Sequence, residues 1–387
     1  MKINEAFDVI YNICHQIENE EIFIDDAYGR VLAEDIFAKF DMPSFTNSAM
    51  DGFAYFSKDR QNPLIIDGAV FAGDFDDIFL KPQSAIKITT GAKLPINADS
   101  VLKIEDAVFD GENRLLIPDD IKDGQNVRYQ GEELSKGDII LKNGDILDSV
   151  KLMILASQGI YKIKVYKKPK VGIFASGNEV TEPFVGARSG VYNSNAIGVK
   201  TLLSKYADVR YLGVLSDEYS LVLSGLSSYE NFDLLVTIGA ASVGDKDYMN
   251  DALLELGFER IVGNLKIKPA GPTKIYKKDS KYVLVLPGNP MSAYFGASIF
   301  GVLLLSRLGG FKYESKKITL KSNESIKVKN GRENLVLCNI KNGHFVTFLA
   351  GKLSSGQITP LDLCTHYVNI DQSMEIGEEI EIYELDK

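Results

Sequence analysis

The sequence predicts a multidomain α/β protein organised around a central, doubly wound α/β domain. The chain has 387 residues, which is too long for one ordinary domain. Between residues 169 and 310, apolar strand-like runs alternate with helix-like segments, as in parallel βαβ units wound on both faces of a sheet. Shorter β-rich runs separated by turn residues occur on both sides of this region. These observations predict a helical N-terminal segment, an inserted β-rich domain, the central domain and a C-terminal all-β domain.

The predicted boundaries follow these changes in pattern. They are 1–45 with 136–168 for the N-terminal helical and linker domain, 46–135 for the inserted β-rich domain, 169–310 for the central α/β domain and 311–387 for the C-terminal β domain. Helical spacing of apolar residues predicts a first helix over 4–18 with Asn4 as its cap, a short helix near 31–36 and a third over 147–158.

Composition excludes several classes of protein and site. Acidic residues outnumber basic ones by 53 to 43, and the net charge of −10 argues against a nucleic-acid-coating protein. Three widely spaced cysteines predict a reducing compartment without a cysteine-based metal site. Three scattered histidines argue against a histidine-built zinc site or a Ser/His triad. The acidic, non-apolar start of the chain predicts no signal peptide, and we expect a cytoplasmic protein.

The strongest chemical indication is the stretch LLVTIGAASVGDKDY at 234–248. It is typical of a buried parallel strand followed by a tight loop, the place where open α/β sheets bind ligands. Small residues let backbone N–H groups approach an anion, and Asp245 and Asp247 are suited to holding a divalent cation beside it. This predicts a nucleotide or phosphate-ester site, although a purely structural strand-to-helix turn explains the loop equally well.

Two further loops are predicted at strand ends of the central domain. ASGNEV at 175–180 carries Glu179, and LPGNPMS at 286–292 carries Ser292. The carboxyl ends of parallel strands share one edge of a sheet, so these loops and Ser242–Asp247 should converge there. The charge-free segment 282–306 is interrupted by PGNP, which favours a buried strand, turn and helix over a membrane span.

Outside the central domain the indications are weaker. Asp51 lies in a polar turn after NSAM, and Thr89, Thr90 and Gly91 form a turn whose hydroxyls and amides suit an anion. Each of these segments is also explained by ordinary turn chemistry. The tail reads as strands separated by turns such as Asn342-Gly343.

Taken together, the motifs resemble those of the molybdopterin molybdenumtransferases, the MoeA proteins and the related E domain of gephyrin. The resemblance covers nearly the whole chain, and the order and spacing of eight short motifs make it specific. The motifs are NSAMDGFA at 47–54, TTGAKLP at 89–95, VRYQGEE at 127–133, ASGNEV at 175–180, GAASVGDKD at 239–247, KPAGP at 268–272, PGNPMS at 287–292 and LSSGQ at 353–357.

The resemblance implies a multidomain homodimer with a MogA-like central domain that completes the molybdenum cofactor. In that family, adenylylated molybdopterin and molybdate are the substrates, Mg²⁺ is the cofactor, and AMP leaves as molybdenum is delivered to the dithiolene. Molybdopterin adenylyltransferase and molybdoenzyme-maturation proteins are the implied partners, with no nucleic acid and no membrane.

By matching positions, the resemblance also assigns site residues. Asp51, Glu179, Asp245 and Asp247 are the carboxylates expected around the metal and the pyrophosphate, and together with Lys268 they form the expected catalytic set. The expected substrate-binding residues are Thr90, Gly91, Ser242, Gly244, Pro269, Pro290, Ser292 and Ser355.

The chain departs from the family pattern at three positions, two of which bear on the oxyanion. Ala240 replaces the second of two adjacent glycines, Gly271 replaces the second lysine of KPGKP, and Leu337 replaces an arginine. Losing two cations predicts weakened molybdate binding, because a charge-assisted hydrogen bond contributes about 1.5–3 kcal/mol. The transferase is therefore the first hypothesis. A pterin-binding carrier with weak insertase activity and an insertase for another oxyanion, such as tungstate, are the alternatives.

Overall fold

The computed structural model describes residues 1–185, 190–239, 248–348 and 353–387. Its helices are α1 (Ile3–Ile13), α2 (Ser149–Ser157), α3 (Ser194–Leu203), α4 (Tyr219–Leu226), α5 (Tyr248–Glu255), α6 (Pro290–Gly296), α7 (Val302–Gly309) and α8 (Thr359–Leu363). Its strands are β1 (Asn19–Phe23), β2 (Ile36–Phe37), β3 (Asn47–Ser48), β4 (Gly52–Tyr55), β5 (Leu64–Val70), β6 (Ser84–Ile88), β7 (Ser100–Lys103), β8 (Val108–Phe109), β9 (Arg114–Leu116), β10 (Val127–Arg128), β11 (Ile139–Leu141), β12 (Lys162–Tyr166), β13 (Lys170–Ser176), β14 (Val180–Thr181), β15 (Val191–Tyr192), β16 (Asp208–Leu215), β17 (Leu234–Ile238), β18 (Glu259–Val262), β19 (Ile267–Lys268), β20 (Lys274–Lys278), β21 (Lys281–Leu286), β22 (Lys317–Lys321), β23 (Glu333–Lys341), β24 (His344–Thr347), β25 (His366–Ile370) and β26 (Glu379–Glu384).

The chain divides into two compact units. The first, here called the large unit, comprises Met1–Ala33, Gly144–Asp148 and Lys162–Lys387. The second, here called the small unit, comprises Glu34–Asn143 and Ser149–Tyr161. Each unit contains sheets and buried apolar clusters of its own.

The main sheet of the large unit has the strand order β16-β13-β17-β21-β20-β18. Its first four strands are parallel, and β20 and β18 continue it in antiparallel register. Side chains alternate between its faces, so each face has a separate core. Val171, Leu234 and Leu284 belong to one, whereas Phe174, Leu235 and Val283 belong to the other. Helices pack on both faces, which confirms the predicted α/β class.

The N-terminal region contains one predicted helix that forms and one that does not. Helix α1 begins at Ile3 and ends at Ile13, and the Glu5 carboxylate accepts the backbone N–H of Lys2 at 3.0 Å. The prediction of Asn4 as the cap was therefore wrong. The helix predicted near 31–36 was also wrong, since the N–H groups of Leu32 and Ala33 donate to the distant carbonyls of Asp145 and Lys164. The third predicted helix is confirmed as α2.

The longest apolar helix runs continuously from Pro290 to Gly309 through α6, a π-helical segment at Ala297–Gly301, and α7. It has 20 residues and is apolar enough to cross a membrane by length and composition, but 83% of its most apolar window is buried inside the fold. Its buried residues join the same core as the Leu234 face of the main sheet. It is therefore a core helix, one end of which reaches the strand ends.

A second sheet of the large unit has the order β19-β23-β25-β26-β22, with β24 paired to β23. Alternate residues of β23 face different cores. Leu335 and Leu337 join the core that contains the long apolar helix, whereas Val336 and Cys338 join a separate core within the tail. Leu337, at the expected arginine position, is completely buried.

The small unit has a sheet in the order β7-β4-β6-β5-β9-β8, and β3 pairs with β10 beside it. All residues of β4 are buried, with Phe53 and Tyr55 in one core and Ala54 in another. Gly52 allows this close packing, because a Cβ atom at this position would lie 1.8 Å from the Leu102 carbonyl oxygen. The glycine of the NSAMDGFA motif therefore holds the residue before it, Asp51, at the end of a buried strand.

Candidate active site

Three segments of the large unit meet at the carboxyl edge of the main sheet. The strands β13, β17 and β21 are parallel and adjacent, so they end at the same edge. The N–H of Gly239, just after β17, donates to the Leu286 carbonyl at the end of β21 at 2.9 Å. On the other side, a Cβ atom at Gly239 would lie 2.4 Å from the Ser176 carbonyl oxygen. Gly239 is thus the point where the three strand ends come together.

The loop that follows Gly239 carries four predicted site residues. Ser242, Gly244, Asp245 and Asp247 fall within 240–247, which lies outside the described residues. The same holds for Ala240, the first departure from the family pattern. Their assignments therefore stay predictions from the sequence.

Glu179 is held in a short loop directly after β13. Its carboxylate lies over Gly177, whose φ is +130° and whose added Cβ would be 2.8 Å from both carboxylate oxygens. The backbone N–H of Asn178 donates to the Asp217 carboxylate, and the N–H of Asp217 donates to the Asn178 side-chain oxygen, both at 3.2 Å. This reciprocal pair fixes the backbone next to Glu179.

Asp217 was missed by the sequence reasoning. It comes directly after β16, which is the neighbour of β13 in the sheet. The same strand-end rule that selected Glu179 also applies to Asp217, because β16 is parallel to β13 and ends at the same edge.

Ser292 and Ser355 lie together at the start of the long apolar helix. Pro290 occupies its first turn, a position where a missing N–H costs nothing. The N–H of Met291 donates to the Ser355 carbonyl at 3.0 Å, and Ser292 is 4% exposed. Because a helix N-terminus carries partial positive charge, this edge favours an anion.

Asn195 is a second residue that the sequence reasoning missed. Its side-chain amide donates to the Gly288 carbonyl at 2.7 Å and so holds the PGNP turn against α3. The available signal was NSN at 193–195 immediately before a predicted helix, where Asn193 caps α3 through the N–H of Ala196.

Lys268 is the last residue of β19, which pairs with β23 of the second sheet, and Pro269 follows it on the way to β20. Lys274 pairs with Val285 near the end of β21, so the residues just before Lys274 lie at the carboxyl edge of the sheet. The side chain of Lys268 is exposed and has no ion pair or hydrogen bond to any described residue. Its ammonium is therefore available to an anionic ligand.

The two missing cations are explained by backbone and core geometry. A Cβ atom at Gly271 would lie 2.8 Å from the Ile267 carbonyl oxygen, so a lysine there requires the backbone to move. Ala270 has a φ of +76°, although a glycine is the residue that tolerates this region best. Leu337 is a core residue. Neither Gly271 nor Leu337 can therefore be replaced by the family's cationic residue without disturbing the surrounding structure.

In the small unit, Asp51 and Thr90 form one compact group. The backbone N–H of Thr90 donates to Oδ1 of Asp51 at 2.7 Å, and its hydroxyl donates to the same oxygen at 2.8 Å. Both hydrogen bonds, the backbone one foremost, lower the pKa of Asp51 below its ordinary value. Gly91 follows at a φ of +80° and donates its N–H to Ser48, which closes the turn. The Asp51 carboxylate is thus stabilised in its ionised form, with Oδ1 accepting both hydrogen bonds.

We expect Thr90→Val to raise the pKa of Asp51 towards its ordinary value, because the hydroxyl hydrogen bond is lost while the backbone one remains. Since the folded-state pKa is lowered, the stabilising contribution is present above the unfolded-state pKa and is lost as the pH falls through the folded-state value. A carboxyl-carbon NMR titration measures the change. Thr90→Ser, which retains a hydroxyl, should behave like the wild type, and equal shifts in both variants would contradict the assignment.

Among the described ranges, no group of three or more His, Cys, Asp or Glu side chains is arranged to hold a metal ion. This does not argue against Mg²⁺, which proteins usually hold through one or two carboxylates plus substrate phosphates. Asp51 is a fitting ligand of that kind, since it is kept ionised and one of its oxygens makes no contact with Thr90.

Comparison with known proteins agrees with this fold and with these motifs. Residues 1–159 match the family described as "MoeA N-terminal region (domain I and II)", and residues 172–307 match "Probable molybdopterin binding domain". The molybdopterin molybdenumtransferase of Haemophilus influenzae is 34% identical over 304 residues, covering 77% of this chain and 75% of the relative. That of Staphylococcus epidermidis is 31% identical over 326 residues, covering 81% and 77%.

Solved structures show the same likeness across the whole chain. The crystal structure of a molybdopterin biosynthesis MoeA protein from Pyrococcus horikoshii is 27% identical, covers 100% of this chain and 99% of that one, and has a TM-score of 0.83. The fold and these relatives define an enzyme of molybdenum cofactor biosynthesis. The chain belongs to the molybdopterin molybdenumtransferase family.

Proposed function

We propose that the protein inserts molybdate into adenylylated molybdopterin in a Mg²⁺-dependent reaction that releases AMP. The observation that carries the proposal is the convergence of the Glu179 loop, Gly239 and the Ser292 helix start on one sheet edge. Such an edge offers backbone N–H groups, hydroxyls and a helix N-terminus to a pyrophosphate, while the carboxylates suit a cation.

The proposed roles follow the chemistry of each side chain. In the large unit, Glu179, Asp245 and Asp247 are the proposed ligands of Mg²⁺, which, when bound, would offset the negative charge that builds up as the pyrophosphate linkage breaks. In the small unit, Asp51 is proposed by itself as a carboxylate suited to Mg²⁺. Lys268 adds positive charge on the phosphate or molybdate. Gly91 in the small unit and Ser242, Gly244, Pro269, Pro290, Ser292 and Ser355 in the large unit are the proposed substrate-binding residues. We assign Thr90 to holding Asp51, because both of its donors point to that carboxylate.

A pterin-binding carrier with weak insertase activity is the second candidate. It is favoured by Gly271 and Leu337, each of which replaces a cation of the family pattern. A side chain at Gly271 would clash with the Ile267 carbonyl oxygen, and Leu337 is completely buried. Insertion of tungstate on the same scaffold is a third reading, and it differs from the first only in the choice of oxyanion. The same experiment separates all three.

The experiment measures AMP release and dithiolene-bound metal from purified protein given adenylylated molybdopterin and Mg²⁺, with molybdate titrated and then tungstate. We expect saturable, molybdate-dependent turnover in the wild type and a loss of at least about 10²-fold in Glu179→Gln, as for removal of a group that stabilises charge in the transition state. Lys200→Glu, an exposed change on α3, serves as the control. Tight pterin binding without oxyanion-dependent turnover would reject the transferase and leave the carrier.

The homodimer, the cytoplasmic location and contacts with molybdopterin adenylyltransferase or molybdoenzyme-maturation proteins belong to the same proposal. They are supported by the family relationship alone. Sedimentation of the purified chain tests the first of them directly, since a dimer has twice the monomer mass of 42.7 kDa.

A further inference from the structure

Two adjoining cavities occupy the large unit away from the strand-end loops. The larger has a volume of about 590 Å³ and the smaller about 240 Å³. They share four lining residues, Ile146, Lys205, Tyr206 and Phe311. The larger volume is in the range of sites that bind small organic ligands.

The smaller cavity and its boundary with the larger one lie at the amino edge of the main sheet, from which the larger cavity extends along the long apolar helix to Phe295. Lys168 and Pro169 line the smaller cavity and come directly before β13, and Tyr206 comes just before β16. The strand-end loops follow the opposite ends of the same strands. A strand such as β13 spans roughly 20 Å, so the smaller cavity is separate from the candidate active site.

The boundary between the two cavities is aromatic. Tyr206 and Phe311 stack with ring centroids 5.0 Å apart and planes inclined by 13°. Phe295, Tyr313 and Tyr367 add further rings to the wall of the larger cavity. Such a wall favours a planar aromatic group, because rings pack against rings in offset-stacked or edge-to-face geometry.

The smaller cavity is cationic although the whole chain has a net charge of −10. Its cationic lining residues are Arg30, Lys167, Lys168 and Lys205, and none of its described lining residues is acidic. Glu20, Glu18 and Asp386 pair with three of these cations, whereas Lys168 has no ion pair or hydrogen bond within the described part of the chain. The buried Nε of Arg30 likewise has no acceptor there.

We propose that these cavities form a second binding site, for a small aromatic anion. The aromatic ring of the ligand lies against the Tyr206–Phe311 pair, and its phosphate or carboxylate lies in the smaller cavity near Lys168 and Arg30. The anion offsets the charge of Lys168, which has no ion pair within the described part of the chain. This site is independent of the proposed metal insertion, which takes place at the other edge of the sheet.

Phenyl phosphate is the probe, with calorimetric titration of the full chain as the measurement and with phenol and inorganic phosphate as its two separate halves. We expect saturable binding of phenyl phosphate that is tighter than that of either half. Lys168→Glu should weaken it at least about tenfold, as expected when a charge-assisted contact is lost. Lys200→Glu makes the same charge change on an exposed side chain that lines neither cavity, and it should bind like the wild type.

Both variants change exposed residues, and matched thermal unfolding curves establish that they fold. Equal affinity in the wild type and Lys168→Glu overturns the proposal, as does the absence of saturable binding. Binding that survives Lys168→Glu and disappears in Ser292→Ala would place the probe at the strand-end edge and would also overturn it. A failure to release AMP would not affect this test, because the titration measures phenyl phosphate binding at a different edge of the sheet.

Discussion

Gly239→Ala should lower the free energy of unfolding by about 2 kcal/mol or more and reduce activity about 10²-fold. Gly239 has a φ of +109°, a region in which an L-residue costs roughly 1–2 kcal/mol. The added Cβ would also lie 2.4 Å from the Ser176 carbonyl oxygen, which is backbone and cannot rotate away. The strand ends must therefore separate, and a shift of about 1 Å at reacting groups costs on the order of 10²-fold in rate.

Gly198→Ala is the matched control in the same unit. Gly198 lies within α3, and an added Cβ would meet no atom of the described residues within 4 Å. This change should stabilise the protein by about 0.5–1 kcal/mol, because alanine loses less conformational entropy in a helix. Denaturant unfolding and AMP release measure both variants. If Gly239→Ala were as stable as the wild type, the close approach of Gly239 to the Ser176 carbonyl oxygen would be contradicted.

The meeting of the strand-end loops was predictable from sequence, whereas the Asp51–Thr90 contact was not. Alternating strands and helices imply a parallel sheet, and a parallel sheet brings its loops to one edge whichever order the strands take. Asp51 and Thr90 are 39 residues apart, and their contact depends on the pairing of Gly52 with Ile88 between β4 and β6. Nothing in either turn specifies that register.

The short helix predicted near 31–36 failed for a related reason. Apolar residues at helical spacing favour a helix only when the backbone N–H groups find partners within the segment. Here Leu32 and Ala33 donate to carbonyls more than a hundred residues away in sequence, and Ile36–Phe37 pairs with β11. Long-range pairing overrode the local pattern.

The environment of Leu337 could not be predicted from the residue replacement alone. From the sequence, replacing the family's arginine indicates only a lost charge. In the structure, Leu337 is completely buried on the face of β23 that packs against the core of the long apolar helix, and Tyr367 is its cross-strand neighbour. The leucine at this position therefore lies in an apolar environment. Its side chain contributes to the packing of the tail, which explains why no cation is found there.

Placing an arginine at position 337 should consequently destabilise the fold and should not improve oxyanion binding. We expect Leu337→Arg to lower the free energy of unfolding by about 3–5 kcal/mol, the usual cost of a buried charge without a partner added to lost apolar packing. Glu333 is the carboxylate on the same face of β23, but it is four residues and about 13 Å away along the strand. Both of its oxygens already accept hydrogen bonds, from Ile3 and Asn369.

Urea unfolding followed by circular dichroism measures the effect, and molybdate titration of the same samples measures oxyanion binding. Leu337→Met is the control, because it keeps the volume and the apolar character and should cost less than about 1.5 kcal/mol. If Leu337→Arg instead kept wild-type stability and bound molybdate more tightly, position 337 would have to reach an anion from within the core. That result would contradict the packing of β23 against the long apolar helix. It would also contradict the conclusion that this packing accounts for the missing cation.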